Sequence, residues 1–148
     1  MAGPTISADL VRLLRAAGSV FAEREAQVIF AAFADPQDRA VAVEQRSNGL
    51  PLEYVVGVAE FAGVEVSIGP PVFIPRHRAE ALVDTAVGLA EAMAVAGRPT
   101  ALDLGCGSGA IAAALTSRLP GWDVHASDID AEALLHARTN SATFGFTL

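Results

Sequence analysis

Ala101-Leu102-Asp103-Leu104-Gly105-Cys106-Gly107-Ser108-Gly109 is a short apolar run that ends in an acid and then in three alternating glycines. A strand followed directly by glycines lets the backbone turn sharply and approach a ligand with no Cβ in the way. The helix expected to open near Ser108 directs its free N–H groups into the same space. Asp128 falls close to the spacing at which the acid closing the next strand reaches a ribose diol. The two signals in register predict a nucleotide-cofactor loop, with Asp103, Gly105, Cys106, Gly107, Ser108, Gly109 and Asp128 as the candidate binding residues.

The loop also satisfies the looser dinucleotide fingerprint, as Gly105-x-Gly107-x-x-Ala110. Asp103 weighs against that reading, because a carboxylate two residues before the first glycine faces a pyrophosphate with the wrong sign and suits a cation. S-adenosylmethionine carries an α-ammonium and a sulfonium, and Asp103 to Gly109 resembles the first motif of class I methyltransferases that use it. A third reading is a glycine turn needed only for close helix–strand packing. Either Asp128 or Asp130 suits the N-cap of the helix that follows. Assigning the cap to Asp130 leaves Asp128 for the ribose and Ile129 for the adenine face.

At 148 residues and 52% hydrophobic content the chain is long enough for one domain, or for a small domain and part of another, and disorder is excluded. A formal charge of −7 with ten scattered Lys and Arg excludes a phosphate-neutralising surface and favours a protein or small-molecule partner. The single cysteine, Cys106, permits no internal disulfide, which is consistent with a reducing compartment. Inside the glycine loop it reads as a small residue. No apolar run approaches transmembrane length and no signal-peptide pattern opens the chain, so the expected location is the cytoplasm. His77, His125 and His136 lack metal-ligand spacing, so no metal is expected.

Outward from the loop, an α/β pattern unfolds. A strand over 101–104, a helix over 108–118, a strand over 123–127 and a helix over 131–139 make one βαβα unit. Before it, a long helix over about 79–96 carries Leu82, Ala86, Leu89 and Met93 on one stripe and closes at Gly97 and Pro99. The first fifty residues read as three helices. Ser7 caps a run with Leu10, Val11 and Leu14 that closes at Gly18; a second spans about 22–33; the third starts at Asp35-Pro36 and ends near Asn48-Gly49. From Leu52 to Ile74 the pattern turns to β, with Tyr54 to Val56, Glu60 to Gly63 and the alternating Val64 to Ser67.

From about Leu14 onward the chain resembles the HemK family, protein-glutamine methyltransferases that modify peptide-chain release factors. Arg46 to Gly57 is similar to that family's Gly-x-Pro-x-x-Tyr-x-x-Gly segment, Glu60-Phe61-x-Gly63 to its Glu-Phe-x-Gly, and Phe73-Ile74-Pro75-Arg76 to its Ile-Pro-Arg turn. The glycine loop and Asp128 then follow in the family order. The resemblance implies an α/β chain with a small N-terminal helical domain (1–50) for substrate recognition and a β-hairpin connector (51–75). The first part of a Rossmann-like class I methyltransferase domain follows (76–148). It also implies S-adenosylmethionine as cofactor and a release factor as protein partner, while the charge and hydropathy above predict no nucleic acid and no membrane.

Two departures qualify it. The family continues Ile-Pro-Arg with Pro-Glu-Thr-Glu, whereas this chain has His77-Arg78-Ala79-Glu80, which removes a capping hydroxyl. The family's Asn-Pro-Pro-Tyr motif, which holds the substrate amide, is absent from the 148 residues, and Pro70-Pro71 reads as a stiffener of the connector. Asn48 and Asn140, the only asparagines, read as a turn residue and a helix end, so no catalytic residue is assigned. The expectation is an N-terminal part of a longer enzyme, inactive alone, whose bare central strand favours self-association. The rival readings are a non-enzymatic protein-binding remnant and a fragment of an NAD-binding oxidoreductase.

Overall fold

The computed structural model describes residues 8–93 and 97–148. The chain divides into two compact units, Met1–Val56 and Gly57–Leu148.

The first unit is helical: α1 (Ala8–Ala16), α2 (Ala22–Ala32), α3 (Pro36–Ser47) and the short α4 (Leu52–Val56). Helical spacing puts Leu14, Ala22, Ala26, Ile29, Ala42 and Val43 into one core, with Leu10 and Val11 packed against it. Ser7, expected to cap α1, lies outside the described residues. Asp35 caps α3 by accepting the N–H of Gln37 at 2.6 Å, and Pro36 fills the first turn, where a missing N–H costs nothing. Arg46 forks onto both carboxylate oxygens of Glu25 at 2.9 and 3.0 Å and ties α3 to α2. The expected β character of Tyr54 to Val56 is corrected: these residues are helical in α4. The carbonyl of Pro51 accepts the N–H of both Tyr54 and Val55, and Val55 completes the helical core. Packing overrides the weak strand preference of a tyrosine and two valines.

The second unit opens with an antiparallel hairpin, β1 (Val58–Phe61) and β2 (Val64–Ser67), in the register Val58↔Ser67 to Phe61↔Val64. Its two-residue turn puts Ala62 and Gly63 at φ 46° and 82°, the two left-handed positions of a type I′ turn. A 3-10 turn over His77–Ala79 leads into α5 (Glu80–Ala92). Ala79 caps α5 with no side-chain hydrogen bond, as the missing hydroxyl predicts, and His77 pairs instead with Glu80 at 2.9 Å. α5 stops at Ala92 rather than 96, and 94–96 lie outside the described residues. Its buried face is Val83, Val87 and Ala90, while Leu82, Leu89 and Met93 are exposed. The helix is apolar on more than one side, and periodicity alone did not identify which side would be covered.

Strands β3 (Thr100–Leu104) and β4 (Asp123–Ser127) pair in parallel, joined through α6 (Ala110–Arg118), with Asp103 opposite Ala126. Beyond β4, Thr147 continues the sheet: its N–H donates to the Val124 carbonyl at 2.9 Å and its carbonyl accepts from Ala126 at 2.7 Å. Among the described residues no strand lies on the other edge of β3, where Leu102 and Leu104 are 57% and 74% exposed. α7 runs Ala133–Phe144, five residues past the expected end at 139, and closes at Gly145 with φ 88°. Asn140 is therefore interior to the helix rather than at its end. No helix among the described residues is long and apolar enough to cross a membrane.

Candidate functional site

A cleft of about 610 Å³ opens at the carboxyl ends of β3 and β4, where open α/β sheets place their ligands. Gly105, Cys106, Gly107, Ser108 and Asp128, five of the seven candidate residues, line it. The loop is built by backbone geometry. Gly105, Gly107 and Gly109 stand at φ 76°, 55° and 78°, conformations that a side chain strains. The N–H groups of Gly105 and Cys106 both donate to the Ser127 carbonyl, at 2.8 and 3.0 Å, which registers the loop against the end of β4. α6 begins at Ala110, two residues later than expected, because Gly109 is spent on the left-handed N-cap.

Asp128 uses both oxygens, one on this loop and one on its own turn. One accepts the N–H of Gly107 at 2.8 Å and the other that of Asp130 at 2.9 Å. These donors keep its carboxyl below the usual range, the Asp130 N–H contributing most. Asp130 in turn accepts the N–H of Glu132 at 2.9 Å, one turn before α7. Ile129 is fully exposed beside them.

Two of the candidate residues stand behind the cleft. Asp103 is buried, and one of its oxygens accepts the N–H of Ala112 at 3.2 Å in the first turn of α6. Burial pushes its carboxyl up, the Ala112 bond opposes this, and the neighbouring charge of Asp128 adds to the rise. Gly109 supports the loop from below: a Cβ there would meet the Phe146 ring at 2.6 Å. Cys106 is buried in the turn, and burial followed by the charges of Asp103 and Asp128 pushes its thiol up to about 11. It is a protonated packing group at neutral pH, not a nucleophile.

Residues that the motif reading did not place in the site complete the cleft. Phe61 comes from the hairpin, Pro71 to Arg76 from the segment after it, and Ala110, Ile111 and Ala133 from the starts of α6 and α7. Of these, Phe61, Phe73 to Arg76 and Ala110 stood in motifs visible in the sequence: Glu-Phe-x-Gly, the Ile-Pro-Arg turn and the looser dinucleotide fingerprint. The others have no chemistry to mark them, because apolar walls are recognisable only once the chain is folded. Asn48 stays in its turn, donating its N–H to the carbonyl of Glu44. Among the described residues no group of three His, Cys, Asp or Glu is placed to hold a metal ion.

Residues 79–147 match the family model described as "Methyltransferase small domain". The chain is 41% identical over 100 residues to a release factor glutamine methyltransferase of Gloeobacter violaceus, covering 68% of this chain and 34% of that one. It is 37% identical over 145 residues to the protein of the same name from Koribacter versatilis, covering 94% and 49%. A third, from Streptomyces coelicolor, is 40% identical over 98 residues, covering 66% and 34%. The chain thus spans between a third and a half of the length of these relatives.

Proposed function

Since this chain belongs to the HemK family and its second unit to the class I methyltransferase fold, we propose that the cleft holds S-adenosylmethionine and serves methylation of a glutamine side chain in a peptide-chain release factor. The observation that carries the reading is the pairing of a left-handed glycine loop with a carboxylate that touches it, at the ends of two parallel strands.

In this reading Gly105, Cys106, Gly107 and Ser108 form the wall against the donor, and Asp128 takes its ribose hydroxyls. Asp103 and Gly109 set the loop from behind. The bound donor supplies a methyl group on a positively charged sulfur. The Asp128 carboxylate suits that charge, and Asp103 argues against a dinucleotide. From behind the loop, its carboxylate takes the N–H of Ala112, one of the free donors in the first turn of α6 that a pyrophosphate would use. An amide nitrogen is a weak nucleophile, so the whole enzyme must hold the glutamine in line with the methyl. No residue of this chain is assigned to that task, because the family's Asn-Pro-Pro-Tyr segment is not in it.

The helical unit, residues 1–50 in the domain reading, is proposed to recognise the protein substrate, with residues 51–75 as connector and 76–148 as donor-binding part. The net charge of −7 supports a protein partner over nucleic acid, and the reading places the enzyme in the cytoplasm.

Calorimetry on the 148-residue chain tests the core of this. S-adenosylmethionine should bind and NAD should not. Binding of NAD alone, or of neither, overturns the reading. The chain by itself should transfer no methyl group to a release factor, and measurable turnover would refute the statement that none of its residues holds the substrate amide.

A further inference from the structure

We propose that Asn140 is a positioning residue that sets the distance between the two walls of the cleft. It sits on α7, only 2% exposed, and its amide oxygen and both amide hydrogens have backbone partners. Its Oδ1 accepts the N–H of Ser67 at 2.7 Å, while its Nδ2 donates to the Ser67 carbonyl at 3.0 Å and to the Ser108 carbonyl at 2.8 Å. Ser67 ends β2, and the segment it leads into supplies Pro71 to Arg76 of one wall. Ser108 belongs to the glycine loop of the other.

The geometry at Ser67 explains why an amide is needed. Ile68 donates its N–H to Gly57 across the hairpin, so the N–H and carbonyl of Ser67 face the opposite way, toward α7. No strand pairs with that edge of β2 among the described residues. A carboxamide, with one acceptor and two donor hydrogens, serves both groups of Ser67 as a strand would and keeps one hydrogen for the loop. A carboxylate, a hydroxyl or a longer side chain cannot satisfy all three groups at once. His136, one turn earlier, fixes the same segment: its Nδ1 lies 3.4 Å from the Ser67 hydroxyl, and its ring is close enough that a Cβ on Gly69 would meet it at 3.0 Å. The hairpin end is thereby held on α7, and through Asn140 it is coupled to the loop.

The inference rests on the reading of the cleft as a donor site, and the test separates the two. In the 148-residue chain, native-state hydrogen exchange should show the Ser67 amide and the loop amides of Gly105 and Gly107 opening together, with the same denaturant dependence. Independent opening overturns the coupling without any variant. In Asn140→Ser and Asn140→Asp these three amides should exchange at least tenfold faster while the β3–β4 ladder keeps its protection. A residue that only adds stability would speed every core amide alike, and either that result or a change confined to Ser67 refutes the proposal. S-adenosylmethionine should bind at least tenfold more weakly to whichever variant circular dichroism shows folded, and unchanged affinity also refutes it. If the parent chain binds no S-adenosylmethionine, the donor-site reading fails, while the exchange arms still decide the coupling.

Discussion

The carboxylate of Asp128 accepts the backbone N–H of Gly107 at 2.8 Å across the gap between the end of β4 and the glycine loop. One residue thus fixes the loop and faces the cleft. A ligand diol arriving at Asp128 meets oxygens already aligned by the N–H groups of Gly107 and Asp130. The carboxylate is preorganised by the fold, and the lowering of its carboxyl depends on the N–H groups of Asp130 and Gly107.

That dependence has a pH signature. The Asp128 carboxyl is lowered in the folded chain, so its contribution to stability is present above the ordinary carboxylate range and is lost as pH falls through the lowered value. Asp103, raised by burial, acts in the opposite sense and from the ordinary carboxylate value upward, so its window lies above that of Asp128. Comparing the parent chain with Asp128→Ala from pH 6 down to pH ~2 isolates the first group. The stability difference should shrink toward the acid end, and a difference independent of pH would refute the assignment.

Asp128→Ala should also weaken S-adenosylmethionine binding by about 1.5–3 kcal/mol, the usual worth of hydrogen bonds to a charged group. Calorimetry at neutral pH reads this directly. Unchanged affinity would remove Asp128 from the site.

Two glycines of the loop should respond differently to alanine. At Gly105 a Cβ meets nothing within 4 Å, so the left-handed backbone alone costs about 1–2 kcal/mol. At Gly109 the Cβ also drives into Phe146, adding ~1–3 kcal/mol of overpacking. Denaturant unfolding should rank Gly109→Ala below Gly105→Ala in stability. Equal losses would mean that the Phe146 contact does not constrain the loop.

Cys106 should alkylate slowly at neutral pH, because its thiol is pushed up to about 11 by burial and two nearby carboxylates. The rate of iodoacetamide labelling should still be rising above pH 9. A plateau between pH 7 and 8 would show a reactive thiolate.

The open edge of β3, with Leu102 and Leu104 exposed, and the uncovered Leu82, Leu89 and Met93 on α5 should make the isolated chain self-associate. Light scattering across a concentration series should show mass rising above 15.2 kDa. Replacing Leu104 by lysine should reduce the association, and a monomer at all concentrations would contradict it.

The sequence by itself determined the parts governed by local rules. Three alternating glycines after an apolar run specify a left-handed turn whatever surrounds them. The alternation from Val64 to Ser67 specifies a strand, and Asp35-Pro36 a helix start. Tertiary structure decided what depends on partners distant in the chain. Tyr54 to Val56 became helix because Val55 had a core to enter, and α5 buried its valines because α6 met that side. Asn140, read as a helix end, became the link between residues 73 and 32 positions away. An amide shows its hydrogen-bonding capacity in one letter, but which backbone groups it serves is settled only when the fold leaves them buried and unpaired.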